Sequence, residues 1–269
     1  MTEQVHHIPA MDRVKRRDFI LLSAAIGLGV VAAPFAVPRL LQVLNIDNDA
    51  VKESALYRKV VELINRLEAK QITAEHFAEE LGKYYQEIDI NRDIYEGMIE
   101  LADGRPRVKL ITRSADDKLW RLQLWWVAPN SCQPPHAHHN LVSTQVVLKG
   151  KAHVRQYERI QRIDDRTLAV RQTSDRILAP YEYFKTTEYT DNAHWFGADG
   201  EPATILNLNA KGYLDDTFEQ ADGRKLGRYY IDPTLERRPD GSILASETDK
   251  ETAWDKFSNR PLRDFETAS

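Results

Sequence analysis

The stretch PPHAHHNLVSTQVVLKG, residues 134–150, places three histidines in four positions: His136, His138 and His139. A neutral imidazole offers one ring nitrogen to a divalent ion at about 2 Å. In a strand, residues two apart share a face. His136 and His138 can therefore serve one ion, while His139 points to the opposite side. Pro134 and Pro135 hold the approach extended and keep the pair from slipping. The chemistry this spacing suggests is metal binding; two surface histidines placed together by chance are the bland alternative.

The rest of the chain narrows the setting. It has 269 residues, enough for one large or two modest domains, with 42% hydrophobic and 29% charged residues. The formal net charge of −4 comes without a basic stripe, which argues against nucleic acid as a partner. A single cysteine, Cys132, excludes an internal disulfide and a cysteine-rich zinc site. Cys132 itself is either a small buried apolar residue or part of a pocket entrance.

The elements that must position the histidines read as helices followed by strands. In residues 51–103, Leu56, Val60, Val61, Leu63, Ile64 and Leu67 recur at three-and-four spacing, and Thr73 is placed to cap a second helix carrying Phe77, Leu81 and Tyr84. A third helix stops at Gly104 and Pro106. His76 falls on an exposed face. From 104 to 231 the texture changes to short alternating segments about ten residues apart, as in RVKLITRS, KLWRLQLWWVAP and PATILNLNA. With no intervening helices, these predict a mainly β double-stranded β-helical barrel or sandwich. Trp120, Trp125 and Trp126 read as barrel core, and His153 as an outer-face residue. Residues 232–269 are polar and read as a surface extension with a short helix near Trp254.

Ahead of the helices, Arg16 and Arg17 precede an apolar run from Phe19 to Val37 diluted by Ser23, Gly27, Gly29 and Pro34. This resembles a twin-arginine export signal. Residues 1–45 are accordingly expected to be that signal, or an uncleaved N-terminal membrane anchor, since nineteen apolar residues nearly span a bilayer. The resemblance implies the twin-arginine translocation machinery as a partner and a periplasmic location. The membrane would be touched only through the N-terminal segment. Export after folding lets a protein choose its metal in the cytoplasm.

The histidine stretch also resembles the first motif of the cupin superfamily: His-x-His, four residues, an acid, six residues, glycine. Here those positions are His136, His138, Ser143 and Gly150. The resemblance implies an RmlC-like jelly-roll barrel preceded by a helical segment. It also implies a third histidine a few strands later, for which DNAHWFGADGEPATILNLN offers His194. Serine is a poor ligand, so the expected set is His136, His138 and His194 without a carboxylate. Three imidazoles on one side of an ion leave open positions, close to the geometry of mononuclear iron sites.

A site lacking the glutamate is similar to the cysteine dioxygenase-type branch. That resemblance implies Fe(II), with manganese, nickel or zinc as alternatives, and oxidation of a small thiol to a sulfinate by O2. It further implies a cation for the substrate's acid on the strand LITRS, namely Arg113, whose alternative is a solvent-exposed strand arginine. Ser143, Gln145, Trp195 and Tyr213 are the expected pocket residues around the ligands. Gln145, on the face of Ser143, would reach the site or a bound water. The branch's Ser-His-Tyr set falls by spacing on Ile205, Asn207 and Asn209 and is absent. Two readings therefore stand beside thiol oxidation: another metal-dependent cupin acting on a small oxygen-rich acid, and a non-catalytic ligand-binding cupin. A homodimer formed through sheet edges is an arrangement common in such barrels.

Overall fold

The computed structural model describes residues 43–45, 49–215, 217–218, 227–235 and 237–265. Arg16, Arg17 and the apolar run after them lie outside the described residues. Among the described residues no helix is long and apolar enough to cross a membrane.

The helical segment forms as its periodicity requires. A short helix α1 (Asp49–Glu53) leads into α2 (Ala55–Glu68), where Ser54 Oγ accepts from the Tyr57 amide at 3.1 Å. Leu56, Val60, Leu63, Ile64 and Leu67 form its buried stripe. Thr73 Oγ1 accepts from the His76 amide at 3.1 Å and opens α3 (Ala74–Tyr85); α4 (Ile88–Ala102) follows. The inner faces of α3 and α4 lie against the barrel: Phe77 and Leu81 are fully buried, and Thr144 Oγ1 donates to the Ala78 carbonyl at 3.3 Å. On the outer side Glu80 gathers Lys59, Arg66 and His76 within 3.1 Å, which pulls its carboxyl down to about 2.

Among the described residues, twelve strands make two sheets. In the first, β1 (Val43–Asn45), β2 (Arg107–Ala115), β3 (Lys118–Val127), β10 (Ala203–Lys211), β5 (Leu141–Lys149) and β8 (Tyr183–Thr186) lie side by side in that order. The second consists of β11 (Gly227–Asp232), β12 (Ile243–Thr248), β7 (Thr167–Leu178), β6 (Ala152–Asp164), β9 (Ala193–Ala198) and β4 (Cys132–His139), and β4 pairs back to β11 to close the ring. The fold is mainly β, the two-sheet barrel expected, with helices ahead of it.

One boundary differs from expectation. Residues 243–248, read as part of a polar surface extension, are a barrel strand pairing with both β7 and β11. Ile243 and Ala245 are buried and supply the alternation; the flanking charges hide it. After β12, helix α5 (Lys250–Phe257) is capped by Asp249, whose Oδ1 accepts from the Thr252 amide at 2.9 Å.

Apolar clusters hold the barrel, three of them formed wholly by described residues. Val147, Phe184, Phe196 and Ile205 are among those packing between the sheets; Tyr157, Leu168, Val170 and Ile231 fill the closed ring. Cys132 and Trp195 pack with Phe257, Leu262 and Phe265 under the C-terminal helix. Gly150, with φ 74°, makes the turn from β5 to β6, and a Cβ there would drive into the Pro202 carbonyl oxygen.

Candidate metal centre

Strands β4 and β9 lie antiparallel with His136 opposite His194. The pairing carries one extra residue in β4 between Gln133 and His136. Pro134 and Pro135 occupy that bulge, where their missing amides break no ladder bond. The bulge turns the Pro134 carbonyl back toward His136, whose Nδ1 donates to it at 2.7 Å. This fixes the tautomer and leaves Nε2 as the free lone pair.

His138 and His194 complete the cluster. The three ring centroids are 4.4–5.2 Å apart, and one ligand nitrogen from each lies within 4.8 Å of the others. All three side chains are buried. His194 Nδ1 meets Thr186 Oγ1 at 2.6 Å, which can again leave Nε2 free. Burial holds the His136 and His138 imidazoles far below their ordinary range, helped by the Arg228 charge, and pushes His194 down to about 3. The rings are neutral, as ligands must be. His136 Nε2 and both ring nitrogens of His138 are buried without a partner among the described residues. Buried polar atoms are normally satisfied, and a divalent ion among the three rings would satisfy one nitrogen on each. Among the described residues no carboxylate belongs to the cluster. The residues present fit a three-histidine metal.

Glu188, a buried acid, is committed elsewhere. Glu188 pairs with Arg159 at 2.9 Å; Arg159 in turn donates to the His138 carbonyl at 3.0 Å. Asn192 Oδ1 accepts from the His138 amide at 2.9 Å. This set fixes the backbone of the ligand strand.

A cavity of about 270 Å³ opens on the cluster, reaching His138 and His194. Ser143 and Gln145 line it, as expected. Gln145 Nε2 donates to Ser143 Oγ at 3.0 Å, Ser143 Oγ lies 2.8 Å from Asn207 Oδ1, and Gln145 Oε1 is buried and unpartnered. The acid position of the motif is thus held by a neutral hydrogen-bonded chain. Asn207 and Asn209 line the cavity from β10.

Four expectations are corrected. Arg113 is exposed and does not line the cavity. The cause is a bulge between Lys109 and Ile111: an extra residue reverses which side of β2 faces inward. Before the bulge Arg107 points in, its guanidinium donating to Gln123 Oε1 at 2.8 Å and lying 4.9 Å from the Trp125 ring centre. Trp195, adjacent to His194, points away by strand alternation and packs on Phe257 and Phe265. Tyr213 is half-buried outside the lining, with Lys118 over its ring. His139 is buried rather than on the surface. Cys132 lies in the apolar cluster with its Sγ 2.7 Å from the Phe257 carbonyl. His153 pairs with Asp175.

Sequence reasoning missed Arg107, Arg121, Lys211, Arg228, Lys250 and Trp254, all in the lining. A signal existed for two strands: KLWRLQLWW and ILNLNAK alternate polar with apolar residues, and their polar faces meet across β3–β10 with Arg121 opposite Asn209.

Comparison with known families and with curated proteins finds no match. Among solved structures, a cupin-2 domain protein from Rhodospirillum rubrum is similar at 17% identity and TM-score 0.29, over 44% of this chain and 66% of that one. KdgF from Halomonas sp. is similar at 15% identity and TM-score 0.27, over 39% and 81%. An 11S globulin from Wrightia tinctoria is similar at 11% identity and TM-score 0.27; the match covers 34% of this chain and a fifth (20%) of that one. All of these likenesses stop short of half of this chain.

Proposed function

We propose that the protein is a mononuclear metal-dependent oxidoreductase of the periplasm that uses O2 to oxidise a small thiol to a sulfinate, with Fe(II) as its metal. The observation that carries this reading is the donor set: three neutral, buried imidazoles with no acid among them. When bound, the ion would supply redox chemistry and a full double charge that lowers the pKa of a thiol brought to it. His136, His138 and His194 would hold it, with Pro134 and Thr186 fixing two of the rings.

The remaining work belongs to the chain's own groups. Trp125, Phe196 and Trp254 supply apolar parts of the cavity wall. Gln145 Oε1 is free to accept a hydrogen bond from substrate. The export address rests on Arg16 and Arg17. A second reading, favoured by the amides of Asn207 and Asn209 in the lining, is a metal-dependent enzyme acting on an oxygen-rich acid. Its metal would be manganese, nickel or zinc.

The test uses protein exported by its own N-terminal segment. Elemental analysis should find about one iron per chain, and an oxygen electrode should record uptake with one member of a thiol panel. No uptake with any thiol from iron-loaded protein removes the thiol reading. Turnover of a hydroxy or keto acid would establish the second, and tight ligand binding without turnover would leave a binding protein.

A further inference from the structure

The cavity is lined by five cations: Arg107 from β2, Arg121 from β3, Lys211 from β10, Arg228 from β11 and Lys250 at the start of α5. Among the described residues no Asp or Glu is in the lining, and no salt bridge joins any of the five to a carboxylate. Their partners are neutral: Arg107 is held by Gln123, and Arg228 donates to Gln133 Oε1 at 3.3 Å. Arg121 Nε is buried with no partner. The first four are half-buried, and Lys250 stands exposed at the mouth.

Unpaired cations crowded into a partly dry space are costly. The crowding is felt within the set: burial, then the charges of Arg121, Arg228 and Arg107, pull the Lys211 ammonium down to about 8. Burial, then Arg121 and Arg228, pulls Arg107 down to about 10. A single substrate carboxylate would offset one of five charges. An ammonium would find no acid in the lining to receive it.

We infer that the cavity takes a small organic acid carrying at least two anionic groups and no basic nitrogen. The acidic groups lie against Arg107, Arg121, Lys211 and Arg228, and the reacting end lies at the histidine cluster. This rests on the proposed metal site for the reacting end only. The charge selection belongs to the cation wall. It sets the substrate apart from free amino acids, whose ammonium the wall repels. Arg121 and Arg228 are positioned for charge-assisted hydrogen bonds with a carboxylate, each of which is worth about tenfold or more in affinity.

The experiment is calorimetric titration of the full chain, as purified and after chelation, with three four-carbon probes of similar size: succinate, butyrate and 4-aminobutyrate. Succinate should bind at least tenfold more tightly than butyrate, and 4-aminobutyrate most weakly. The preference should shrink as salt is raised. Arg121→Gln and Arg228→Gln should each weaken succinate about tenfold with metal per chain unchanged. Lys250→Ala, at an exposed position that cannot disturb the core, should weaken it severalfold. Equal affinity for succinate and butyrate, or preference for 4-aminobutyrate, overturns the inference, and the wild-type ranking alone decides this should the arginine variants not fold. A chain that purifies without metal, takes up none when iron is supplied and still ranks the probes keeps this inference while the metal reading fails. A metal-loaded chain that does not rank them does the reverse.

Discussion

The two walls of one cavity are unsatisfied in opposite senses. The wall from β4 and β9 presents neutral imidazoles whose lone pairs suit a cation. The wall from β2, β3, β10 and β11 presents guanidinium and ammonium groups that lack an anion. Each is held rigid by groups that cannot neutralise it: Pro134 and Thr186 behind the rings, Gln123 and Gln133 behind the arginines. A site of this kind is specified by what it withholds. Among the described residues the buried acid is Glu188, and it is spent on Arg159.

The sharpest way to break the contrast is to remove a ring. His194→Ala should reduce bound metal from about one per chain to near zero by elemental analysis. His139→Ala, on the opposite side of β4, should leave it unchanged; equal loss in both would mean the face assignment is wrong. Removing Arg159 attacks the frame instead of the site. Arg159→Met strands Glu188 in a buried position, so chemical unfolding should show a loss of about 3–5 kcal/mol. Thr186→Val takes away only the contact to His194 Nδ1. It should weaken metal binding about 10–100-fold in a competition titration, with succinate binding by the metal-free chain untouched.

The smallest effect is on pH. Lys211 faces Arg121, Arg107 and Arg228 from the neighbouring strands, and its ammonium is held down at about 8. Below that it is charged and attracts anions; above it the charge is lost. Succinate affinity should therefore fall severalfold as pH rises through about 8, and Lys211→Gln should flatten that fall.

Much of the site was legible where a motif and an alternation coincide. His136 and His138 share a face because the strand period is two, and the positions inherited from the resemblance, Ser143 and His194, do face the cavity. The failures share a cause. Arg113 came from the resemblance of LITRS to a strand motif, and a single bulged residue in β2 turns that position outward. Bulges leave little trace in composition, although Pro134-Pro135 marks one for a reader who asks where an amide can be spared. The cation wall was missed because alternating polar residues on β3 and β10 read as a solvent face when each strand is taken alone. Only the pairing of the two shows that the faces meet inside. Residues 243–248 were missed because a strand of six residues amid charges carries too little apolar signal.

That short strand has a consequence for the order of assembly. The ring needs β12 between β7 and β11, and β11 borders the strand bearing His136 and His138. During synthesis the histidines emerge about a hundred residues before the ring can shut. Until then β7 and β11 show bare backbone edges, the kind that invite pairing with another chain. A protein clipped before residue 243 would retain every histidine ligand and yet be left with an open seam beside them.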